Sequence, residues 1–210
     1  MANEKTLVRF NIKNAKYALK SSDGSYAEPV AFGYSDAIAL EADYSEKAIY
    51  GDGRKVAVIP NDKGKTGTLT LLALDEAYEL AMKRRMKTAN GTADVKQMAS
   101  IEHAIYFETE QMTEDGKIST AKTVIYGVTS GRPSETFNQT TEDINNNNVD
   151  YALTIKGVPL MDTAGTAAYK DSDGNTVTVW QETVIPGDPG YEAFGKTISM
   201  PKASSTALNL

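Results

Sequence analysis

The amino-acid sequence predicts a mostly β protein in which a single helix covers a sheet. Residues 36–44 and 66–74 both alternate between apolar side chains and polar or small ones, which is the period of a half-buried strand. Only residues 75–88 repeat apolar side chains at helical spacing. We therefore expect one amphipathic helix to lie against a sheet built from the alternating segments.

The stretch from Thr66 to Leu74 is the strongest strand signal. Its two faces differ: Thr66, Thr68 and Thr70 share one side, and Leu69, Leu71 and Ala73 share the other. The alternation then stops, because Leu72 and Leu74 make the end of the strand apolar on both sides. We expect the helix to cover this end and to bury Leu72, so that Leu72→Ala costs about 2–5 kcal/mol.

The helix predicted over residues 75–88 has signals at both ends. Asp75 is a good N-cap, because its carboxylate can accept from the free amides of the first turn. Acidic residues occupy the first turn and basic residues the last, as the helix dipole favours, and Asn90-Gly91 supplies the stop. The predicted apolar face consists of Tyr78, Ala81, Met82 and Met86.

Shorter runs predict the remaining elements. They are an N-terminal strand or arm within Arg9–Leu19, a hairpin that turns at Glu114–Gly116, a strand at Tyr151–Ile155 and an extended piece at Val177–Trp180. The polar stretch Asn138–Asn148 predicts a mobile loop. We expect residues 1–158 to form the main β domain, and residues 159–210 to add strands and a tail to the same domain.

A long connection, Ser45–Lys65, joins the two clearest strands. It contains Gly51-Asp52-Gly53, and only Lys55–Ile59 within it has an extended pattern. Loops of this length in a compact domain are uncommon and are usually functional or disordered. We expect the connection to project from the domain as an arm.

Composition and charge exclude several function classes. The 210-residue chain has no cysteine, so disulfides and thiolate metal sites are excluded. Its net charge of −6 disfavours an outer surface that grips nucleic acid, since that requires clustered Lys and Arg. No apolar run approaches the ~20 residues of a membrane span, and Met1–Lys5 lacks the pattern of a signal peptide.

No motif predicts catalysis or a bound cofactor. Gly64-Lys65-Thr66 resembles the end of a phosphate loop, but Ile59 stands where that motif requires glycine. Asp171–Asn175 is interpreted as a turn, because its glycine comes too early for a calcium loop. His103 is the only histidine, and we interpret it as structural. An enzyme is the least favoured class, and we expect neither a cofactor nor a metal.

Four segments occur in a characteristic order and spacing: Asn11–Leu19, Ala37–Ala42, Gly67–Leu74 and Arg132–Ser134. Together they resemble the major tail proteins of long-tailed bacteriophages, the group that mainly infects Gram-positive bacteria. The resemblance covers roughly Val8 to Val158, and it rests on the order of whole segments rather than on one invariant motif.

The resemblance implies a tail-tube fold, with two packed antiparallel sheets flanked by one helix. It also implies a virion protein, made and assembled in the host cytoplasm, whose hexameric rings stack into a conduit for genome ejection. The implied partners are other copies of the chain and the tape-measure, tail-terminator and baseplate proteins. DNA passes through such a tube without specific binding, no membrane is involved, and the family has no catalytic residues.

Two sets of residues are candidates for roles in such a tube. The strand Asp36–Tyr44 is predicted to turn Ile38, Leu40, Ala42 and Tyr44 to the core, so that Glu41 and Asp43 face the lumen. Thr68 and Thr70 continue this face if the strands pair across the arm, and small or acidic side chains suit a DNA channel. An ordinary solvent face on the tube exterior is the alternative. The candidate ring-stacking residues of the arm are Glu46, Tyr50, Arg54, Lys55 and Lys63.

A monomeric β-sandwich binding module is the alternative function, for instance one that recognises cell-surface carbohydrate. Exposed aromatic side chains on one face would favour it, and the chain has 11 tyrosines. Rings or tubes of the purified protein would favour the assembly function instead.

Overall fold

The computed structural model of the chain describes residues 6–135, 139 and 147–204. Most of the predicted mobile loop Asn138–Asn148 lies outside the described residues, as do both ends of the chain. The prediction made for that loop therefore stays a prediction.

Strands dominate the described part of the chain. The elements are β1 (Thr6–Leu19), β2 (Val30–Ala31), β3 (Ser35–Gly51), β4 (Arg54–Leu71), α1 (Glu76–Ala81), β5 (Arg85–Thr88), β6 (Gly91–Asp94), β7 (His103–Thr113), β8 (Ile118–Ser130), β9 (Val149–Ile155), β10 (Val158–Pro159), β11 (Thr178–Val179) and β12 (Gln181–Val184). The predicted mostly β class with a single flanking helix is confirmed.

One antiparallel sheet organises the fold. Its strands follow the order β2-β1-β7-β8-β9-β4-β3, and β12 pairs with β8 beside this path. Two small sheets, β5–β6 and β10–β11, lie outside it. β3 pairs with β4 from Ser35 opposite Leu71 to Gly51 opposite Arg54, so the condition that the two clearest strands pair across the arm is met.

The larger core lies on the helix side of the sheet. Leu69 and Leu71 of β4 are completely buried there and belong to one apolar cluster with Tyr78 and Met82. The alternation predicted for β4 is confirmed, since the threonines on the opposite face stay partly exposed. This burial of apolar area is what holds the short helix on the sheet.

A second core lies on the opposite face of β1, β7 and β8. Tyr106 and Val124 of the sheet pack there against Val158 and Ile198 of the C-terminal segment. The middle of the sheet is thus covered on both faces, which explains the nearly continuous burial along β7 and β8.

The helix is shorter than predicted. Asp75 caps it as expected, because the Tyr78 amide donates to the Asp75 carboxylate at 3.0 Å. The prediction of a helix over 75–88 is wrong beyond Ala81: Lys83 adopts a left-handed φ of 55°, and the next residues form β5. Met86 is 52% exposed and belongs to no apolar helix face.

The Asn90-Gly91 pair also has a different role from the predicted one. It lies at the turn between β5 and β6, where Thr88 pairs with Gly91. A pattern of turn residues after a basic run is common to helix stops and to hairpin turns. In this chain the pair belongs to a hairpin turn, because the helix has already ended before Lys83.

The predicted burial of Leu72 is wrong. Leu72 is 38% exposed, because β4 ends at Leu71 and the chain turns away from the sheet. The Leu72 amide donates to the Tyr34 carbonyl at 2.9 Å, just beyond the last β3–β4 pair, Ser35 opposite Leu71. Leu74 alone of the two packs partly against the larger core.

The connection Ser45–Lys65 is not an irregular loop. β3 and β4 run through it as one long antiparallel hairpin with a turn at Asp52-Gly53. Both turn residues have positive φ, 50° and 73°, as the tightest hairpin turns require. The hairpin projects beyond the sheet, since β9 pairs with β4 only from Lys65 to Leu71.

Candidate assembly surfaces

The projecting ribbon Tyr44–Asp62, called the arm below, is the most exposed part of the described fold. Its two strands pair with each other from Tyr44 opposite Asp62 to Gly51 opposite Arg54. Large apolar side chains are exposed along it: Tyr44, Ile49, Tyr50, Val56, Val58 and Ile59. By the register, consecutive residues such as Val58 and Ile59 point to opposite faces, so both faces of the ribbon expose apolar side chains. A two-stranded ribbon is marginally stable alone, and exposed apolar side chains on it favour an interaction with another surface.

The predicted ring-stacking residues are all exposed, and the structure brings them to one hairpin. Tyr50, Arg54 and Lys55 surround the turn, so the tip combines an aromatic ring with two positive charges. Glu46 lies nearer the base and accepts from the Tyr44 hydroxyl at 2.8 Å. Lys63 lies just below the ribbon, where the arm joins the sheet.

The predicted lumen face is an open surface of small and acidic side chains. In register across β3, β4 and β9, it consists of Ala37, Thr70 and Asp150, then Ala39, Thr68 and Ala152, and then Glu41, Thr66 and Thr154. The strands pair as the shared face required, so Thr68 and Thr70 lie on the same face as Glu41; that this face lines a lumen stays a prediction. A shallow depression on this face is lined by Ala39 and Thr68 among others, and the Thr70 hydroxyl donates to the Asp150 carboxylate at 2.6 Å.

The core face predicted for β3 is shorter than expected. Ile38 and Leu40 are partly buried and pack against the larger core, as predicted. Ala42 is exposed and Tyr44 is 51% exposed, so their assignment to the core is wrong. The reason is that β3 leaves the domain at Ala42, so the side chains beyond it have no core to face.

A buried polar cluster lies beneath the helix, and sequence reasoning missed it. Arg84 is completely buried, and its Nη2 lies 2.8 Å from Oε1 of Glu79. The guanidinium also donates to the carbonyls of Ser130 and Gly131 at the end of β8. Its carbon lies 5.3 Å and 5.4 Å from the ring centroids of Tyr78 and Tyr151, which is within cation–π range.

The same cluster holds the only histidine. The Tyr78 hydroxyl lies 2.9 Å from His103 Nε2 and 2.7 Å from the Ser130 hydroxyl, and His103 Nδ1 lies 3.1 Å from the Ile101 carbonyl. Burial, reinforced by the nearby Arg84 charge, lowers the pKa of His103 to about 4. Burial raises the pKa of Tyr78 to about 12 and, against the pull of Arg84, raises that of Glu79.

This cluster joins elements and is not open to a substrate. Arg84, His103 and Tyr78 are all fully buried, so each hydrogen bond links one part of the fold to another. Arg84 ties the helix to the end of β8, and His103 ties the start of β7 to the helix. The interpretation of His103 as structural agrees with this placement. The buried pair of Arg84 and Glu79 was not predicted, because Arg84 stands in a run of basic residues and such runs usually form solvated surfaces.

The described residues contain neither a cluster of metal ligands nor a membrane-spanning helix. Within 6–135, 139 and 147–204, no three His, Asp or Glu side chains come together as metal ligands would. In the same ranges, no helix has the length and apolar character needed to cross a membrane.

Comparisons with known proteins give little similarity. No family model and no curated sequence matches the chain. A chain from the cryo-EM structure of the anti-feeding prophage baseplate is similar with a TM-score of 0.35 and 8% identity, over 67% of this chain and 87% of that one. A chain from the anti-feeding prophage cap, described as a tube terminating cap, gives a TM-score of 0.33 and 16% identity, over 73% and 93%. At these scores the likeness carries no argument about this chain.

Proposed function

We propose that the chain is a structural subunit of a phage tail tube, which self-assembles into stacked hexameric rings that conduct the genome during ejection. The starting point is the resemblance of segments such as Asn11–Leu19 and Gly67–Leu74 to major tail proteins. The arm carries the proposal, because it presents exposed apolar side chains on both faces of a projecting ribbon that this subunit does not cover.

The edges of the main sheet support the proposal. β3 is the last strand at one side, and β2 covers the outer edge of β1 only at Lys16 and Tyr17. Two edges of the sheet are therefore unpaired within the described residues. Unpaired edges favour association with another chain. If the β3 edge of one subunit meets the β1 edge of the next, the contact is head-to-tail and can close into a ring.

Microscopy of the purified full chain tests the proposal directly. Negative-stain images should show rings or tubes, and sedimentation should show a mass that rises with concentration. A protein that stays monomeric over the whole accessible concentration range would contradict the tube function. Monomers that bind glycans on an array would support the carbohydrate-binding alternative.

A matched pair of surface variants identifies the contact. Val56 on the arm is 68% exposed and Met98 away from the arm is 87% exposed, so an aspartate at either position should leave the fold intact. Val56→Asp should prevent stacking, because it places a charge in an apolar contact, and Met98→Asp should not. Equal assembly by both variants would show that the arm surface is not used.

The exposed tyrosines do not favour the carbohydrate-binding alternative. Tyr44 and Tyr50 lie six residues apart on one strand, which corresponds to about 20 Å. Tyr34 precedes β3 and lies still further along the chain. The three rings therefore form no single aromatic platform.

A further inference from the structure

The root of the arm, residues 62–65 of β4 and Asp43 of β3, has an irregular backbone. Ala42 pairs with Lys65 and Tyr44 pairs with Asp62, so Asp43 alone stands opposite Lys63 and Gly64. This is a β-bulge, and bulges bend a ribbon and increase its twist. The Gly64 amide donates to the Asp62 carboxylate at 3.1 Å, which gives it a local partner within the bulge. The direction in which the arm leaves the sheet is therefore set here.

Gly64 occupies a position where any side chain would be strained. It is buried, with a φ of 104°, a region that residues with a side chain rarely adopt. An added Cβ would stand 2.5 Å from the Ile155 carbonyl oxygen and 3.1 Å from the indole nitrogen of Trp180. The bend is thus pressed closely against β9 on one side and against an aromatic ring on the other.

Trp180, the only tryptophan in the chain, fills the space at this bend. It packs against the larger core, and a Cβ on Gly157 would stand 2.6 Å from its Cδ1. Its carbonyl accepts from the Tyr126 amide at 2.9 Å, which fixes its backbone to β8. The indole is therefore held between the root of the arm and the turn that follows β9.

A polar contact adds to the apolar one. The ammonium group of Lys65, the first residue of β4 that pairs with β9, donates to the side-chain oxygen of Gln181 at 3.3 Å. Gln181 follows Trp180 and begins β12, which pairs with β8. Two consecutive residues of the C-terminal segment thus touch the root of the arm.

We propose that Trp180 is an arm-positioning residue: wedged between Gly64 and Gly157, it fixes the angle at which the β3–β4 arm leaves the sheet. The arm then projects in one defined direction before any partner is met. A pre-set direction reduces the ordering entropy that binding would otherwise cost. The inference gives the C-terminal segment a part in the proposed assembly, and it rests on the proposed function only for that last step.

A distance measurement within the full chain tests the positioning. Because the chain has no cysteine, Lys55→Cys on the arm and Ser22→Cys in an exposed turn of the body accept two spin labels without background. Pulsed electron paramagnetic resonance, on labelled chain diluted in unlabelled chain, then gives the distance distribution between arm and body. The parent should show one narrow distance.

Removing the indole should release the arm. Trp180→Ala should broaden the distribution roughly twofold, since the ribbon has little stability of its own, and Trp180→Phe should keep much of the narrow distribution. Tyr34→Ala is the matched control, because it removes an aromatic ring that is 83% exposed and lies outside the root. A Trp180→Ala variant that folds and keeps the parent distribution would overturn the inference.

Gly64→Ala provides the second variant where Trp180→Ala fails to fold. It leaves the indole in place and forces a methyl group against the Ile155 carbonyl, so the mean distance should shift. An unchanged distribution would overturn the inference by this route as well. Imaging the same samples separates the positioning role of Trp180 from the proposed tube function. If the parent gives a narrow distance distribution that the variants disturb, but no protein forms tubes, the tube function is rejected and the positioning role stands.

Discussion

Arg84 holds several parts of the fold together, although its sequence context does not indicate that it is buried. It stands in a run of basic residues that looks like a solvated helix end, yet it is completely buried beside Glu79. Removing one partner of such a pair leaves an uncompensated buried charge, which is strongly destabilising. The hydrogen bonds of Arg84 to the β8 carbonyls require it to point inward, and an inward Arg84 is incompatible with a helix that continues to residue 88.

His103 should make the stability of the fold depend on pH. Its pKa is about 4 in the fold, against about 6.5 in an unfolded chain, so the unfolded state binds more protons between these values. The contribution of His103 to the free energy of unfolding is therefore fully present above pH 6.5. It is lost as the pH drops towards 4, which lowers the free energy of unfolding by about 3 kcal/mol. Urea unfolding between pH 7 and pH 4 measures the slope.

The control for this prediction is His103→Gln, which retains a hydrogen-bonding side chain for Tyr78 but does not titrate. Carboxylates also titrate towards the acid end, so the difference between parent and variant is the informative quantity. Parallel pH profiles for the two proteins would show that His103 is not the source. Tyr78 and Arg84 are the neighbouring groups that face it.

Leu71 and Leu72 form a matched pair that tests the end of β4. Leu71 is completely buried and Leu72 is 38% exposed. Leu71→Ala should lower the free energy of unfolding by about 2–5 kcal/mol through lost burial and cavity formation, and Leu72→Ala by much less. Chemical denaturation of the unassembled subunit gives both values, and a larger loss for Leu72→Ala would place the strand end differently.

At the scale of elements, the arm shows what the sequence could and could not predict. Its length and its Asp52-Gly53 turn were visible in the sequence, and its projection followed from its position between two strong strands. Its regular pairing was not visible, because the exposed ribbon has no buried face and hence no clear alternation. Only the structure reveals that the arm is a hairpin with a bulge at its root.

Shortening the arm should separate folding from assembly. Replacing Glu46–Lys63 with a short Gly-Ser linker removes residues that are nearly all exposed, so the thermal melting of the subunit should change little. Stacking should be lost, because the apolar side chains on the ribbon disappear with it. Electron microscopy measures assembly, and a melting curve on the same sample measures folding. Tubes of normal length from the shortened chain would rule out a role of the arm between rings.

The helix shows a second limit of sequence reasoning. Asp75, Tyr78 and Met82 were placed correctly, because capping and apolar spacing are local signals. The end of the helix depended on a contact across the fold, between Arg84 and the end of β8. Such a contact lies far apart in the sequence, and no local pattern encodes it.

At the scale of the whole molecule, the two faces of the main sheet are unlike each other. One is filled by the larger core throughout. The other is covered by the C-terminal segment over β7 and β8, and is open over β9, β4 and β3. The small and acidic side chains of the open part were predictable from the alternation in the sequence. The packing of the C-terminal segment over β7 and β8 was not. The second core depends on the C-terminal segment, whose sequence has weak periodicity.

Charge reversal on the open face tests whether it lines a DNA channel. Glu41 lies on this face, Asp43 lies in the bulge beside it, and both are exposed, so changing both to Lys should leave the fold and the tubes nearly intact. The added positive charge should make tubes retain double-stranded DNA and slow its passage, and high salt should reverse the effect. DNA passage is measured on particles that carry the variant subunit.

Labelling locates the same face independently. A Glu41→Cys variant carries the only thiol in the chain, so a small reagent should modify it in intact tubes while a reagent too bulky for the channel should not. Fast modification by the bulky reagent would place this face on the outside. Equivalent labelling of Lys55→Cys on the arm provides the comparison.

The position of the arm has a consequence for growth. Within the described residues each subunit has a single arm, at one side of the sheet, so rings joined by arms in the proposed tube would all point the same way. Such a polymer would have two chemically different ends, one with free arms and one with engaged arms. The two ends would then add subunits at different rates, and a protein that fits one end would find no equivalent surface at the other. The length of the proposed tube could therefore be controlled at a single end.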